Sequence, residues 1–183
     1  MNEKSLSKFL SLILRHKPET IGIKLDANGW ADIEEILSGI KRKEKNFDFA
    51  FLQKIVDEND KKRFSFNEDK TKIRANQGHS IKVDVELQEK IPPAKLFHGT
   101  LKKNSESIER DGLLKMNRLY VHLSEDFETA EKVACRRKGT PIIYEVKAEE
   151  MSRDGFIFYQ SANGVWLVDK VPAKYLAINS LTE

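Results

Sequence analysis

The sequence predicts an α+β protein built as two lobes, and three observations carry that prediction. Apolar residues recur at helical spacing in three successive segments of the first third of the chain. The period then drops to two at "RFSF" and "KIRA". Beyond a polar stretch holding Pro92-Pro93, the chain alternates short strands with short helices. With 183 residues, 39% hydrophobic and 33% charged, the chain suffices for one ordinary domain or two small lobes, each with a modest core.

In the first helix Leu6, Phe9, Leu10, Ile13 and Leu14 follow i, i+3, i+4 spacing, with Ser5 as the expected N-cap. It runs into Arg15, His16, Lys17 and Pro18. Cations near a helix C-terminus suit the macrodipole, and proline cannot continue the helix; Arg15 and His16 can equally hold an anion. "LDANGWADIEEIL" places an Asn28-Gly29 turn before Asp32 and Glu35, which stand at capping-box spacing ahead of a second helix. A third helix follows Asp48, with Phe51, Leu52, Ile55 and Val56 as its apolar stripe. "RFSF" and "KIRA" then read as strands of a hairpin turning at "NEDKT". Three helices followed by a hairpin is the element order of a winged-helix lobe, here residues 1–83, an arrangement often used to hold nucleic acid.

Residues 84–94, polar and charged, read as a linker. The second lobe, 95–183, opens with a strand at "KLFHGT". It continues through a short helix at "SESIERDGLL", a strand at "RLYVHLS" and a helix at "DFETAEKVACRR". "PIIYEVKA", "GVWLV" and "YLAI" are further strands.

Net charge is only +3, so charge alone does not announce a nucleic-acid binder; the local runs "KRKEK", "DKKRF" and "CRRKG" matter more. A single cysteine excludes an internal disulfide framework and a multi-thiolate metal site. There is no 18-residue apolar run and no signal-peptide pattern, so a cytoplasmic protein without a membrane partner is expected. Phosphate-loop, Rossmann and nucleophile-elbow motifs are absent, and the histidine spacing does not suit zinc. The four histidines sit in "LRHKP", "NQGHSI", "LFHGT" and "VHLSED". "FHGT" and "VHLS" share one design: an apolar strand ends in His with a small or hydroxyl residue, leaving amides, a hydroxyl and an imidazole able to grip ribose hydroxyls and an amide. Strand-end turn chemistry explains the same residues.

Seven blocks taken together, "SKFLSLILRHKPETIGIKLDANGWADIEEIL", "NDKKRFSF", "IRANQGHSI", "LFHGT", "LYVHLSED", "ETAEKVACRRKGTPIIYEVKAEEM" and "NGVWLVDKVP", occur in the order and spacing of the RNA (tRNA) 2′-phosphotransferase family. The chain resembles that family over nearly its whole length. The resemblance implies a winged-helix RNA lobe followed by an ADP-ribosyltransferase-like lobe. It also implies transfer of an internal RNA 2′-phosphate, as at a tRNA splice junction, to NAD+. In that reaction the 2′-phosphate displaces nicotinamide to give an ADP-ribosylated RNA 2′-phosphate. The neighbouring ribose hydroxyl then releases ADP-ribose 1″,2″-cyclic phosphate and RNA with a free 2′-hydroxyl.

The family relies on an Arg-His-Arg-Arg set, which carries over to Arg15, His16 and Arg63. Its fourth member falls in "VACRRKGTP", which departs from the family pattern by one extra residue. Counting from the helix selects Arg136, counting back from the strand selects Arg137, and Arg136 is favoured because loops accept insertions more readily. Resemblance likewise implies NAD+ contacts at His98, Gly99, Thr100, His122, Leu123 and Ser124. Asn163 and Trp166 are expected to support that site, with core packing the competing role for Trp166. His79 and Ser80 of "QGHS" are expected at the cleft between lobes as substrate or cofactor contacts, and Arg74 at RNA backbone or on a solvated strand. Guanidinium groups suit the chemistry because their planar fork binds phosphate bidentately and stays charged. No metal is required, and a monomer acting on RNA that bears an internal 2′-phosphate is expected. Two rivals remain: an ADP-ribosyltransferase acting on nucleic-acid ends or protein, which needs no 2′-phosphate grip, and a non-catalytic winged-helix module, which leaves the strand-end histidines without a task.

Overall fold

A computed structural model describes residues 2–59 and 61–179. Met1, Asp60 (the first residue of the basic run 60–64) and residues 180–183 lie outside the described residues. The chain divides into two compact units, one ending at Glu86 and one beginning at Leu87. Among the described residues no helix is long and apolar enough to cross a membrane.

The first unit runs α1 (Glu3–Arg15), β1 (Trp30–Asp32), α2 (Ile33–Lys41), α3 (Phe49–Asp57), β2 (Phe64–Phe66) and β3 (Lys72–Ala75). The three expected helices and the hairpin are present. Asp32 caps α2 by accepting from Glu35 N at 3.1 Å, and Asp48 caps α3 by accepting from Phe51 N at 2.9 Å. The start of α1 differs from expectation. Asn2, not Ser5, is the N-cap, and its side-chain oxygen takes the Ser5 amide at 2.9 Å, so Ser5 lies inside the first turn. A third strand, β1, joins the hairpin in the order β1-β3-β2, all antiparallel. Three residues are too few to display a strand period, which is why it did not show in the sequence. Leu6, Leu10, Ile13 and Leu14 of α1, with Ile36, Ile40, Leu52 and Ile73, form this unit's core.

The second unit contains β4 (Gln88–Glu89), β5 (Leu96–Leu101), α4 (Ser105–Asp111), β6 (Leu113–Leu114), β7 (Val121–Leu123), α5 (Phe127–Ala134), β8 (Pro141–Val146), α6 (Ala148–Arg153), β9 (Phe158–Gln160), β10 (Trp166–Val168), β11 (Lys170–Val171) and β12 (Leu176–Asn179). They pair as β4-β9-β10-β7, β12-β8-β5 and β11-β6. A bridge between Phe97 and Ser124 fastens the chain beyond β7 to β5. Residues 84–94, read as a linker, carry β4 and a buried Val85; a two-residue strand with exposed side chains leaves no sequence pattern. The second core gathers Leu96, Val121, Leu123, Tyr144, Val146, Phe158, Trp166 and Tyr175.

One close approach sets the second unit's geometry. A Cβ on Gly99 of β5 would stand 1.8 Å from the Ala130 carbonyl oxygen and 3.0 Å from the Ala134 amide. The helix backbone of α5 therefore lies directly on β5, a distance only glycine permits. Gly99→Ala forces that helix away and is expected to cost about 3 kcal/mol or more, as overpacking against rigid backbone does. A melting temperature within a degree of wild type would contradict the account.

Candidate functional site

The first unit gathers its functional residues where α1 ends. Arg15 closes the helix, and His16 is the C-cap, its amide still bonded to the Leu12 carbonyl at 3.0 Å. The helix leaves the Arg15 carbonyl without an intrahelical donor, and the amide of Ser80 supplies one at 3.0 Å. Ser80 also meets His16 through its side chain, Oγ to Nδ1 at 2.9 Å. Gly78, at φ +88°, brings its backbone against the Arg15 guanidinium; a Cβ there would be 3.4 Å from Nη1. "QGHS" thus wraps the helix terminus that carries Arg15 and His16.

His79 itself is 1% exposed. Burial, with the charges of Arg15, His16 and Arg74 nearby, lowers its pKa from 6.5 to about 4. It is a neutral imidazole packed beneath the helix terminus, beside Gly29, rather than an exposed contact. Arg74 is engaged within the unit: its guanidinium stacks over Trp30 at 4.4 Å and pairs with Glu86 at 3.0 Å.

Arg63 stands just before β2 and is strapped on two sides. Asn59 Oδ1 accepts from Arg63 Nη1 at 3.1 Å and from its amide at 3.4 Å, while Asn59 Nδ2 donates to Ser7 of α1 at 3.3 Å. The buried Asn76 takes the other side, its amide donating to the Arg63 carbonyl at 2.9 Å and its Nδ2 to the Lys62 carbonyl at 2.7 Å. Arg63 and His16 line one cavity of about 680 Å³, shared with the cations Lys4, Lys8 and Lys61 and the carboxylates Glu3 and Glu58, among others. Arg15 is not among its lining residues. Neither asparagine was foreseen; Asn59 in "ENDKK" reads as turn composition, and only the fold brings it to Arg63.

In the second unit a cavity of about 460 Å³ is lined by His98, Gly99, Thr100, His122, Arg136 and Arg137, among others. His98 Nδ1 donates to the His122 carbonyl at 3.0 Å. Burial lowers the His98 pKa, so the ring is neutral at ordinary pH and its Nε2 is a hydrogen-bond acceptor. Thr100 Oγ1 accepts from Asn104 Nδ2 at 3.0 Å. Both candidate arginines reach the cavity, because α5 ends at Ala134 and both stand in the turn that follows. A third guanidinium, Arg118, lines it too; partial burial and the charges of Arg137 and Arg136 lower its pKa. Arg118 stands in the bend before β7, at the head of the segment read from the sequence as the strand "RLYVHLS", and no spacing marks it. No Asp or Glu is among the described lining residues, so the donor set suits an anionic ligand rich in hydroxyls.

Four residues expected at or beside that site stand off the cavity. The Leu123 side chain is 1% exposed and belongs to the core. Ser124 pairs through its backbone with Phe97 at 2.8 and 2.9 Å and does not line the cavity. Asn163 accepts from Ser161 Oγ at 2.7 Å in the turn before β10, also off the cavity, and Trp166 is buried in the core.

Comparison with known proteins decides the kinship. The sequence profile of the RNA 2′-phosphotransferase, Tpt1 / KptA family, matches residues 1–170. The chain belongs to that family. It is 55% identical over 175 residues to a protein of Fusobacterium nucleatum named "Probable RNA 2′-phosphotransferase", covering 96% of this chain and 98% of the relative. A Flavobacterium johnsoniae protein of the same name is 56% identical over 183 residues, covering 98% and 100%. A third, from Burkholderia pseudomallei, is 51% identical over 170 residues, covering 93% and 92%. The family supports an enzyme acting on RNA.

The buried histidine gives this unit a pH signature. His79 binds its proton in the unfolded chain near pH 6.5 but in the folded chain only near 4. Its contribution is therefore full above pH 6.5 and is lost as pH falls from 6.5 towards 4, by about 3 kcal/mol in all. Denaturant titrations at pH 7 and pH 4.5 are expected to show that decline in wild type and a shallower one in His79→Gln. Equal slopes in both proteins would remove His79 as the cause.

Proposed function

We propose that this protein removes an internal 2′-phosphate from RNA by transferring it to NAD+. The products are 2′-hydroxyl RNA, nicotinamide and ADP-ribose 1″,2″-cyclic phosphate, formed by way of an ADP-ribosylated RNA 2′-phosphate. The observation that carries this reading is the pairing of His16 and Arg63 on one cavity of the first unit, in a chain belonging to this family. In this reading the first unit is the winged-helix RNA lobe and the second the ADP-ribosyltransferase-like lobe. The enzyme works in the cytoplasm as a monomer on tRNA-like substrates.

The residues have definite tasks. Arg63 neutralises and orients the phosphate at the cavity it shares with His16, and Arg15, the neighbour of His16 at the helix terminus, adds its charge, since phosphoryl chemistry is chiefly positioning and electrostatics. His16 donates to the phosphate or protonates the departing 2′-oxygen, a contribution of about 10²–10⁴-fold. In the second unit Arg136 serves as the fourth arginine of the catalytic set, Arg118 and Arg137 suit the diphosphate of NAD+, and the His98 Nε2 acceptor suits a ribose hydroxyl. NAD+ supplies the ribose carbon from which nicotinamide leaves and the hydroxyl that takes up the phosphate. Lys4, Lys8 and Lys61 beside Arg63 offer contacts to neighbouring RNA phosphates.

The test is incubation with NAD+ and an RNA oligonucleotide bearing one internal 2′-phosphate, following nicotinamide release and dephosphorylation together. Nicotinamide release that leaves a permanently modified RNA would replace this reading with simple ADP-ribosylation. Arg63→Ala is expected to slow turnover by at least about a hundredfold with its fold intact; wild-type rates would refute its role. RNA affinity is expected to fall steeply between roughly 50 and 200 mM salt, the mark of phosphate contacts. A flat salt profile in a filter-binding assay would exclude them.

A further inference from the structure

We propose that Ser80 is the positioning residue of His16: its hydroxyl occupies Nδ1, which leaves Nε2 as the nitrogen presented to the phosphate. This rests on the phosphotransfer reading above.

The geometry is closed on three sides. The Ser80 amide is bonded to the Arg15 carbonyl at 3.0 Å, so the residue is docked on the helix terminus by its backbone. Its hydroxyl then falls 2.9 Å from His16 Nδ1. The two preceding residues anchor the segment, Gly78 against the Arg15 guanidinium and His79 in the interior. Ser80 therefore reaches the ring from a fixed base.

The choice of hydroxyl matters. An imidazole that donates a proton passes between charged and neutral forms, and its far nitrogen must suit both. A carboxylate at Nδ1 would hold the ring charged, whereas a neutral hydroxyl fixes the ring and leaves Nε2 able to release its proton. The Ser80 hydroxyl accepts from Nδ1–H of the imidazolium and, once Nε2 has released its proton, from the same Nδ1–H of the neutral ring. Ser80 thus holds the ring in one orientation and one tautomer through the change of charge at Nε2.

A double-mutant cycle tests this. Single-turnover rates with NAD+ and the 2′-phosphorylated oligonucleotide are measured for wild type, Ser80→Ala, Ser80→Thr, His16→Ala and the Ser80/His16 double alanine variant. Ser80→Ala is expected to slow the reaction about tenfold at saturating RNA with NAD+ affinity unchanged. Ser80→Thr restores it, and in the His16→Ala background Ser80→Ala costs almost nothing. Nitrogen-15 spectra of histidine-labelled protein give a second readout: the His16 Nδ1 resonance moves in Ser80→Ala and returns in Ser80→Thr. Equal losses in both backgrounds would assign Ser80 to direct substrate contact and overturn the proposal, as would an unmoved Nδ1 resonance. A wild-type protein that leaves the 2′-phosphate in place overturns the phosphotransfer reading and this proposal with it.

Discussion

The first unit depends on how α1 is finished. A helix terminus is the least satisfied part of a helix, with carbonyls that lack donors. Here the chain returns from the hairpin to supply one, through the Ser80 amide on the Arg15 carbonyl. That bond makes a fraying end into a fixed platform, and Arg15 and His16 inherit its rigidity. Arg63 comes to the same cavity as His16 by a separate route, strapped by Asn59 to α1 and by Asn76 to the strand behind it. Ser80, Asn59 and Asn76 are neutral polar groups that fix these residues through hydrogen bonds.

The second unit answers the same problem by packing. With Gly99 allowing the α5 backbone onto β5, the helix ends so that the following turn delivers two arginines to the cavity bordered by His98. The Phe97–Ser124 bridge holds β5 to the chain beyond β7, which sets the His122 carbonyl under the His98 ring and defines its tautomer. Ser124 and Leu123 contribute through that scaffold, by backbone pairing and by core burial, rather than by lining the cavity.

Much of this was legible in the chain because it is local. Helical spacing found α1, α2 and α3, and the capping signals at Asp32 and Asp48 marked two helix starts. The strand-end histidines and the arginine-bearing turn stood out as motifs. What escaped was short or non-local. β1 and β4 are too brief to show a period, and α6 in "AEEMSR" carries too little apolar pattern. Asn59 and Asn76 acquire meaning only when distant segments meet. The burial of His79 and the capture of Arg74 by Trp30 and Glu86 arise from packing that no spacing reveals. Arg136 and Arg137 could not be separated by counting, and both line the same cavity.

Cys135 offers an experimental handle. It is the only cysteine in the sequence, it is exposed, and it caps α5 immediately before Arg136. A maleimide dye or spin label placed there without removing any other thiol would sit one residue from the cationic turn. Its emission or line shape would report ligand arrival in real time, so occupancy could be followed without waiting for a chemical product.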